Sequence, residues 1–109
     1  MLLLKIDSVE EGQTLLSRVS GNWDIGFEKV RECEIAIAVM KGLILNVYKI
    51  VDVWESSEES KRMANERRKQ FQLAECREYS YLISKTFRTS YSNPATTIDL
   101  ATVLNEVQD

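Results

Sequence analysis

Residues 34–54 read EIAIAVMKGLILNVYKIVDVW and give the clearest structural signal in the chain. Two apolar runs, 35–40 and 43–54, lie on either side of the pair Lys41-Gly42. Runs rich in β-branched and aromatic residues are typical of strands, and a glycine between them can adopt the positive φ of a tight turn. The stretch therefore predicts a β-hairpin.

The second run of this hairpin is apolar on both of its faces. One face carries Leu43, Leu45, Val47, Val51 and Val53, and the other carries Ile44, Tyr48, Ile50 and Trp54. A strand that is apolar on both sides belongs in the middle of a sheet that is covered on both sides. A run of 12 residues (43–54) is long for one strand, so we expect a bend or bulge near residues 49–52.

Upstream of the hairpin, residues 1–6 alternate weakly and predict a first strand. Residues 13–19 fit a short helix or a strand equally well, and Ser20-Gly21-Asn22 predicts a turn.

Downstream, Ser56 with Glu59 three residues later predicts a helix start. The polar segment 61–69 is expected to be exposed, because its apolar stripe is thin. Residues 71–74 either continue that helix or begin a strand, and residues 79–87 again have a composition compatible with β structure.

The C-terminal segment 96–107 has spaced apolar residues that favour a helix capped by Thr97 or Asp99, with a short closing strand as the alternative. Together the segments predict a single α+β domain over residues 1–109, built on a twisted, barrel-like antiparallel sheet with one or two flanking helices.

The composition excludes several kinds of catalytic site. The chain contains no histidine, so Ser-His-Asp and Cys-His nucleophile systems and His-ligated metals are excluded. The two cysteines, Cys33 and Cys76, form no C-x-x-C pair and are expected to be buried free thiols. No apolar run approaches the roughly 20 residues that cross a bilayer. We expect a cytoplasmic, non-enzymatic binding protein with no membrane association, no metal and no cofactor.

The charge is distributed unevenly along the chain. Residues 1–60 carry 6 basic and 11 acidic side chains, residues 61–88 carry 8 basic and 3 acidic, and residues 89–109 carry 3 acidic and no basic side chains. A positive face can therefore exist although the formal net charge is −3. The alternative is that these charges are scattered over an ordinary solvated surface and form no positive face.

Several landmarks occur in an order that resembles one known family. They are Gly21-Asn22-Trp23, the hairpin with Val47-Tyr48-Lys49-Ile50 ending at Trp54, a basic stretch with Phe71, Tyr81-Leu82-Ile83-Ser84-Lys85, and Asn93-Pro94. This order is similar to that of small PUA-like β-barrel modules of the EVE, ASCH or SRA type, which occur alone or attached to restriction-type and phage-encoded proteins. The resemblance covers roughly residues 14–98.

The resemblance implies binding of nucleic acid, with modified bases among the candidate ligands. Such modules use an aromatic-lined pocket for a base and basic side chains for the phosphates. The resemblance places Trp23, Tyr48, Trp54 and Asn93 in the pocket and Lys85 and Arg88 near the phosphate path. Core packing for the aromatics, a turn role for Asn93 and solvent exposure for the two cations are the alternatives.

Two other functions are compatible with the sequence. The first is a small phage- or bacterium-encoded protein-interaction factor that inhibits or redirects a partner protein. The second is a carboxylate enzyme that holds a divalent metal with Asp24, Glu28, Glu32 and Glu34.

Overall fold

The computed structural model describes residues 1–21, 23–55, 68–88 and 94–109. The strands are β1 Leu2–Ile6, β2 Trp23–Asp24, β3 Ile35–Met40, β4 Leu43–Glu55, β5 Arg68–Glu75 and β6 Ala95–Thr97. The α-helices are α1 Leu15–Ser20, α2 Phe27–Arg31 and α3 Leu100–Glu106, and a 3₁₀ turn spans Ser80–Leu82. The predicted helix start at Ser56–Glu59 lies outside the described residues.

The six strands form one sheet in the order β2-β5-β4-β3-β1-β6. The sheet is nearly closed into a barrel, which confirms the predicted α+β barrel-like fold. Two details differ from the expectation. First, the sheet is mixed, because β1 and β3 pair in parallel with Leu2 opposite Ala36. Second, the described residues contain three α-helices, where one or two were expected. A parallel pair needs a long crossover, and the segment holding α1, β2 and α2 supplies it.

The central hairpin forms as predicted, and β3 pairs antiparallel with β4. Lys41 and Gly42 both have positive φ, 51° and 81°, as a two-residue turn matched to the sheet twist requires. The expected bulge is confirmed, because the register with β5 shifts between Ile50 and Asp52.

The predicted facing of β4 is wrong in both halves. Beyond the bulge, Val53 packs in the same cluster as Ile50, and the first half contains a second irregularity. Ala38 pairs with Asn46 but Val39 pairs with Ile44, so Leu45 is an extra residue. An extra residue reverses the alternation of side chains beyond it. Val47 consequently packs in one cluster with Ile44, and Leu45 packs against the cluster that contains Tyr48.

Both faces of the sheet are buried, as the sequence predicts. The inner cluster includes Leu2, Leu4, Trp23, Tyr48 and Phe71. The outer cluster includes Leu3, Ile37, Val47, Phe87 and Val103. Successive residues of β1 thus point to opposite cores.

The structure resolves the segments that the sequence left open. Residues 15–20 form helix α1, whose N-cap Thr14 accepts a hydrogen bond from the Ser17 N–H. Residues 71–74 lie in strand β5. The C-terminal helix is confirmed with Asp99 at its N-cap position, although the Asp99 side chain makes no capping hydrogen bond. Residues 79–87 are not a strand; they form the 3₁₀ turn, and Thr86 makes isolated bridges to Leu43 and Gln108.

Candidate binding cleft at the barrel seam

The two edge strands of the sheet, β2 and β6, border one cleft of about 690 Å³. Its lining is Asp24, Ile25, Gly26, Phe27, Glu28, Lys29, Lys69, Pro94 and Ala95. We call this the seam cleft. Its volume lies within the range of about 300–1,000 Å³ that is usual for small-molecule sites.

One wall of the seam cleft is formed by residues 25–29, which follow β2. Trp23 anchors this strand, because its side chain is buried and its Cα pairs with that of Lys69. Gly26 then takes an extended conformation, φ −77° and ψ 148°, at the N-cap of α2. A side chain added to Gly26 would meet no atom within 4 Å, so this position in the cleft lining has room for a larger residue.

A buried cation lies beside an aromatic ring in this cleft. Lys69 is 3% exposed, and its Nζ lies 4.6 Å from the centroid of the Phe27 ring. The Arg31 guanidinium lies 5.7 Å from the same centroid. Attraction between a cation and the ring quadrupole stabilises such pairs, more strongly where water is excluded. The prediction that residues 61–69 are exposed is therefore wrong at Lys69.

Two of the four acidic residues considered as metal ligands line the seam cleft. Asp24 and Glu28 belong to it, but Glu32 and Glu34 line a separate pocket beside Met1 and Tyr79. Among the described residues, no group of three or more acidic or cysteine side chains could hold a metal ion. As ionised carboxylates, Asp24 and Glu28 act only as hydrogen-bond acceptors.

Two of the aromatic residues proposed for a pocket lie in the inner core. Trp23 is 4% exposed, its Nε1–H donates to the Val19 carbonyl at 2.8 Å, and the Arg18 guanidinium lies 5.4 Å from its ring centroid. Tyr48 is 3% exposed. Burial raises the pKa of its hydroxyl, a hydrogen bond with the Asn46 side chain opposes that rise, and the Glu75 charge adds to it.

The remaining predicted site residues are dispersed. Trp54 is exposed on β4, and its Nε1–H donates to Gln70 Oε1 at 3.1 Å. Lys85 forms an ion pair with Asp109. Arg88 is exposed near the Lys41-Gly42 turn. Asn93 lies outside the described residues. Of the six predicted residues, Trp23 and Tyr48 share a cluster, and Trp54, Lys85 and Arg88 do not join them.

The ion pair between Lys85 and Asp109 gives a pH-dependent prediction. A hydrogen bond from Lys85 and its positive charge hold the pKa of the Asp109 carboxyl below the ordinary value of 3.8. A lowered folded-state pKa means that the pair stabilises the fold above the unfolded-state pKa, and that this contribution is lost as the pH falls through the folded-state value. In an NMR titration, Lys85→Gln should return the Asp109 pKa toward 3.8, whereas Lys41→Gln should leave it unchanged. An equal shift in both variants would contradict the pairing.

Sequence reasoning missed the most distinctive residues of the seam cleft, namely Gly26, Phe27 and Lys69. The one local signal for this cleft was the aromatic Phe27 directly after Gly26. It does not indicate the register of β5 against β2, which is what brings Lys69 to the cleft. Both cysteines are buried and free, as predicted.

Comparison of the chain with protein-family models, with curated proteins and with solved structures finds no significant match. The PUA-like resemblance stays a prediction. None of the helices in the described ranges has the length and the apolar character to cross a membrane.

Proposed function

We propose that this protein is a non-catalytic binding module that holds a nucleobase of a nucleic acid in the seam cleft. The observation that carries the proposal is the combination of hydrogen-bond acceptors, cations and an aromatic ring at the barrel seam. Asp24 and Glu28 supply carboxylates, Lys29 and Lys69 supply positive charge, and Phe27 supplies the ring.

The chemistry of the cleft suits a flat ligand with hydrogen-bond donors on its edge. Carboxylates accept from exocyclic base amines such as the N4 amine of cytosine. Phe27 and Pro94 offer apolar contacts of the kind that the face of a base makes. Lys29 is exposed beside them and can neutralise a phosphate. A single-stranded or flipped base is the form that can enter such a cleft.

Fluorescence anisotropy with labelled single- and double-stranded DNA and RNA at two salt concentrations tests the proposal. Affinity should fall steeply with salt, because phosphate contacts release counterions. A parallel series with modified bases tests base preference. Absence of binding at low salt for every oligonucleotide would contradict the proposal.

A variant that fills the cleft makes the test specific. Gly26 has a φ that any residue adopts and open space where its side chain would begin. We expect Gly26→Leu to obstruct the cleft and weaken binding about tenfold or more, equivalent to about 1.4 kcal/mol. Gly26→Ala is the matched control, and its affinity should stay close to that of the parent protein. Equal affinities of Gly26→Leu and Gly26→Ala, with unchanged melting temperatures, would show that the ligand binds elsewhere.

A protein partner is the second candidate function. It is favoured by two large apolar side chains exposed on the distal half of β4, Val51 at 57% and Trp54 at 42%. If no nucleic acid binds, a pull-down that compares the parent protein with Trp54→Ser tests whether this surface holds a partner.

A further inference from the structure

A second surface, with an excess of positive charge, lies at the tip of the central hairpin. A groove of about 420 Å³ is lined by Lys5, Ile6, Asp7, Val39, Lys41, Gly42, Phe87 and Arg88. We call it the basic groove. It contains three cations and one carboxylate, in a protein whose formal net charge is −3.

Backbone pairing brings Lys41 and Arg88 to the same turn. Ile6 pairs with Met40, so the chain after each strand places Asp7 beside Lys41. On the other side, the Phe87 N–H donates to the Gly42 carbonyl at 2.7 Å. Arg88 follows directly, and its Cγ lies 3.4 Å from the point that a Cβ on Gly42 would occupy. The hairpin turn therefore lies between the end of β1 and the segment that carries Arg88.

The charges of Lys41 and Arg88 are available to a ligand. Both side chains are exposed, and within the described part of the chain neither takes part in a hydrogen bond or an ion pair. Lys85, two residues from the groove residue Phe87, differs because Asp109 already neutralises it. Of the two cations that the PUA-like resemblance places near a phosphate path, Arg88 is thus the exposed one without an ion pair among the described residues.

We infer that the basic groove binds a phosphate group through Lys41 and Arg88, with Lys5 adding to its positive potential. An arginine can donate two parallel hydrogen bonds to phosphate oxygens, and a lysine acts as a point charge beside them. The hydrogen bond from the Phe87 N–H to the Gly42 carbonyl fixes the turn against the segment that carries Arg88, which reduces the ordering required on binding.

The basic groove adjoins the seam cleft. The Lys5 N–H donates to the Pro94 carbonyl at 2.7 Å, and Pro94 lines the seam cleft. A nucleic-acid strand that places a base in the seam cleft can therefore bring one of its phosphates to the basic groove. To this extent the inference rests on the proposed function, although the groove can also bind free phosphate.

NMR titration of the ¹⁵N-labelled protein at constant ionic strength separates these possibilities. The probes are inorganic phosphate and a short single-stranded oligonucleotide. We expect the amide signals of Gly42, Phe87 and Arg88 to move with both. The variant Lys41→Gln/Arg88→Gln should lose these shifts, and Lys49→Gln/Arg77→Gln, which removes the same two types of charge from exposed sites elsewhere, should keep them.

The salt dependence gives a second, quantitative readout. Loss of two phosphate contacts should reduce the slope of log affinity against log salt by about 1.4 for a single strand. An unchanged slope and unchanged shifts in the groove variant would overturn the inference, as would the absence of groove shifts with either probe. Groove shifts with phosphate alone would keep the groove as an anion site and count against the proposed nucleic-acid function. Groove shifts with the oligonucleotide while Gly26 and Phe27 stay unmoved would keep the groove and contradict the seam cleft.

Discussion

Val47→Asp is expected to abolish cooperative unfolding of the protein. Val47 is 1% exposed, pairs with Ile37 in the middle of the sheet and packs in the outer core cluster. A carboxylate at this place loses its hydration and gains no partner among the neighbouring apolar side chains, which costs several kcal/mol. The total free energy of unfolding of a protein this size is only about 5–15 kcal/mol. Circular dichroism melting should show a broad or absent transition.

Val51→Asp is the matched control for this substitution. It makes the same chemical change on the same strand, but Val51 lies at the bulge and is 57% exposed. Surface changes of this kind usually alter stability by about 0.5 kcal/mol or less. A Val47→Asp variant that melts as cooperatively as Val51→Asp would mean that the outer core is misplaced.

Trp23→Ala is expected to lower the free energy of unfolding by about 3–5 kcal/mol, as large aromatic truncations in cores do. The side chain is 4% exposed, and its indole N–H has a buried partner in the Val19 carbonyl. Its loss leaves a cavity in the inner core cluster and an unsatisfied acceptor. Urea denaturation monitored by far-ultraviolet circular dichroism measures the change.

The comparison with Trp54→Ala decides between packing and ligand binding for the two tryptophans. Trp54 is 42% exposed and donates one hydrogen bond to Gln70, so its truncation should cost about 1 kcal/mol or less. If Trp23→Ala is as stable as Trp54→Ala and instead loses nucleic-acid affinity, Trp23 faces a ligand and not the core.

The sequence predicts the centre of the fold because local signals agree there. Lys41-Gly42 has the turn chemistry and its flanking runs have the composition of buried strands, so the hairpin and its coverage on both sides follow. The parallel pairing of β1 with β3 does not follow, because Leu2 and Ala36 meet through a contact that is distant in sequence. The prediction of the face on which Val47 lies is wrong because nothing in the local sequence pattern marks Leu45 as an extra residue.

The candidate sites depend more heavily on tertiary structure. Lys69 follows a polar segment, and only its pairing opposite Trp23 places it beside Phe27. The basic groove joins Lys41 and Arg88 from segments far apart in the chain. Charge counting predicts the sign of such a surface in the segment 61–88, but it cannot choose Arg88 over Lys85 because the partner of Lys85 is Asp109 at the end of the described chain.

Chemical-shift mapping with a single-stranded oligonucleotide tests whether the seam cleft is the nucleic-acid site. The ¹⁵N-labelled parent protein is titrated beside Gly26→Leu, and the amides of Gly26, Phe27, Lys29, Lys69 and Ala95 report on the seam cleft. We predict saturable shifts of these signals in the parent protein and their loss in Gly26→Leu. Shifts confined to the distal half of β4, or no shift with any DNA or RNA strand, would contradict the seam cleft as a nucleic-acid site.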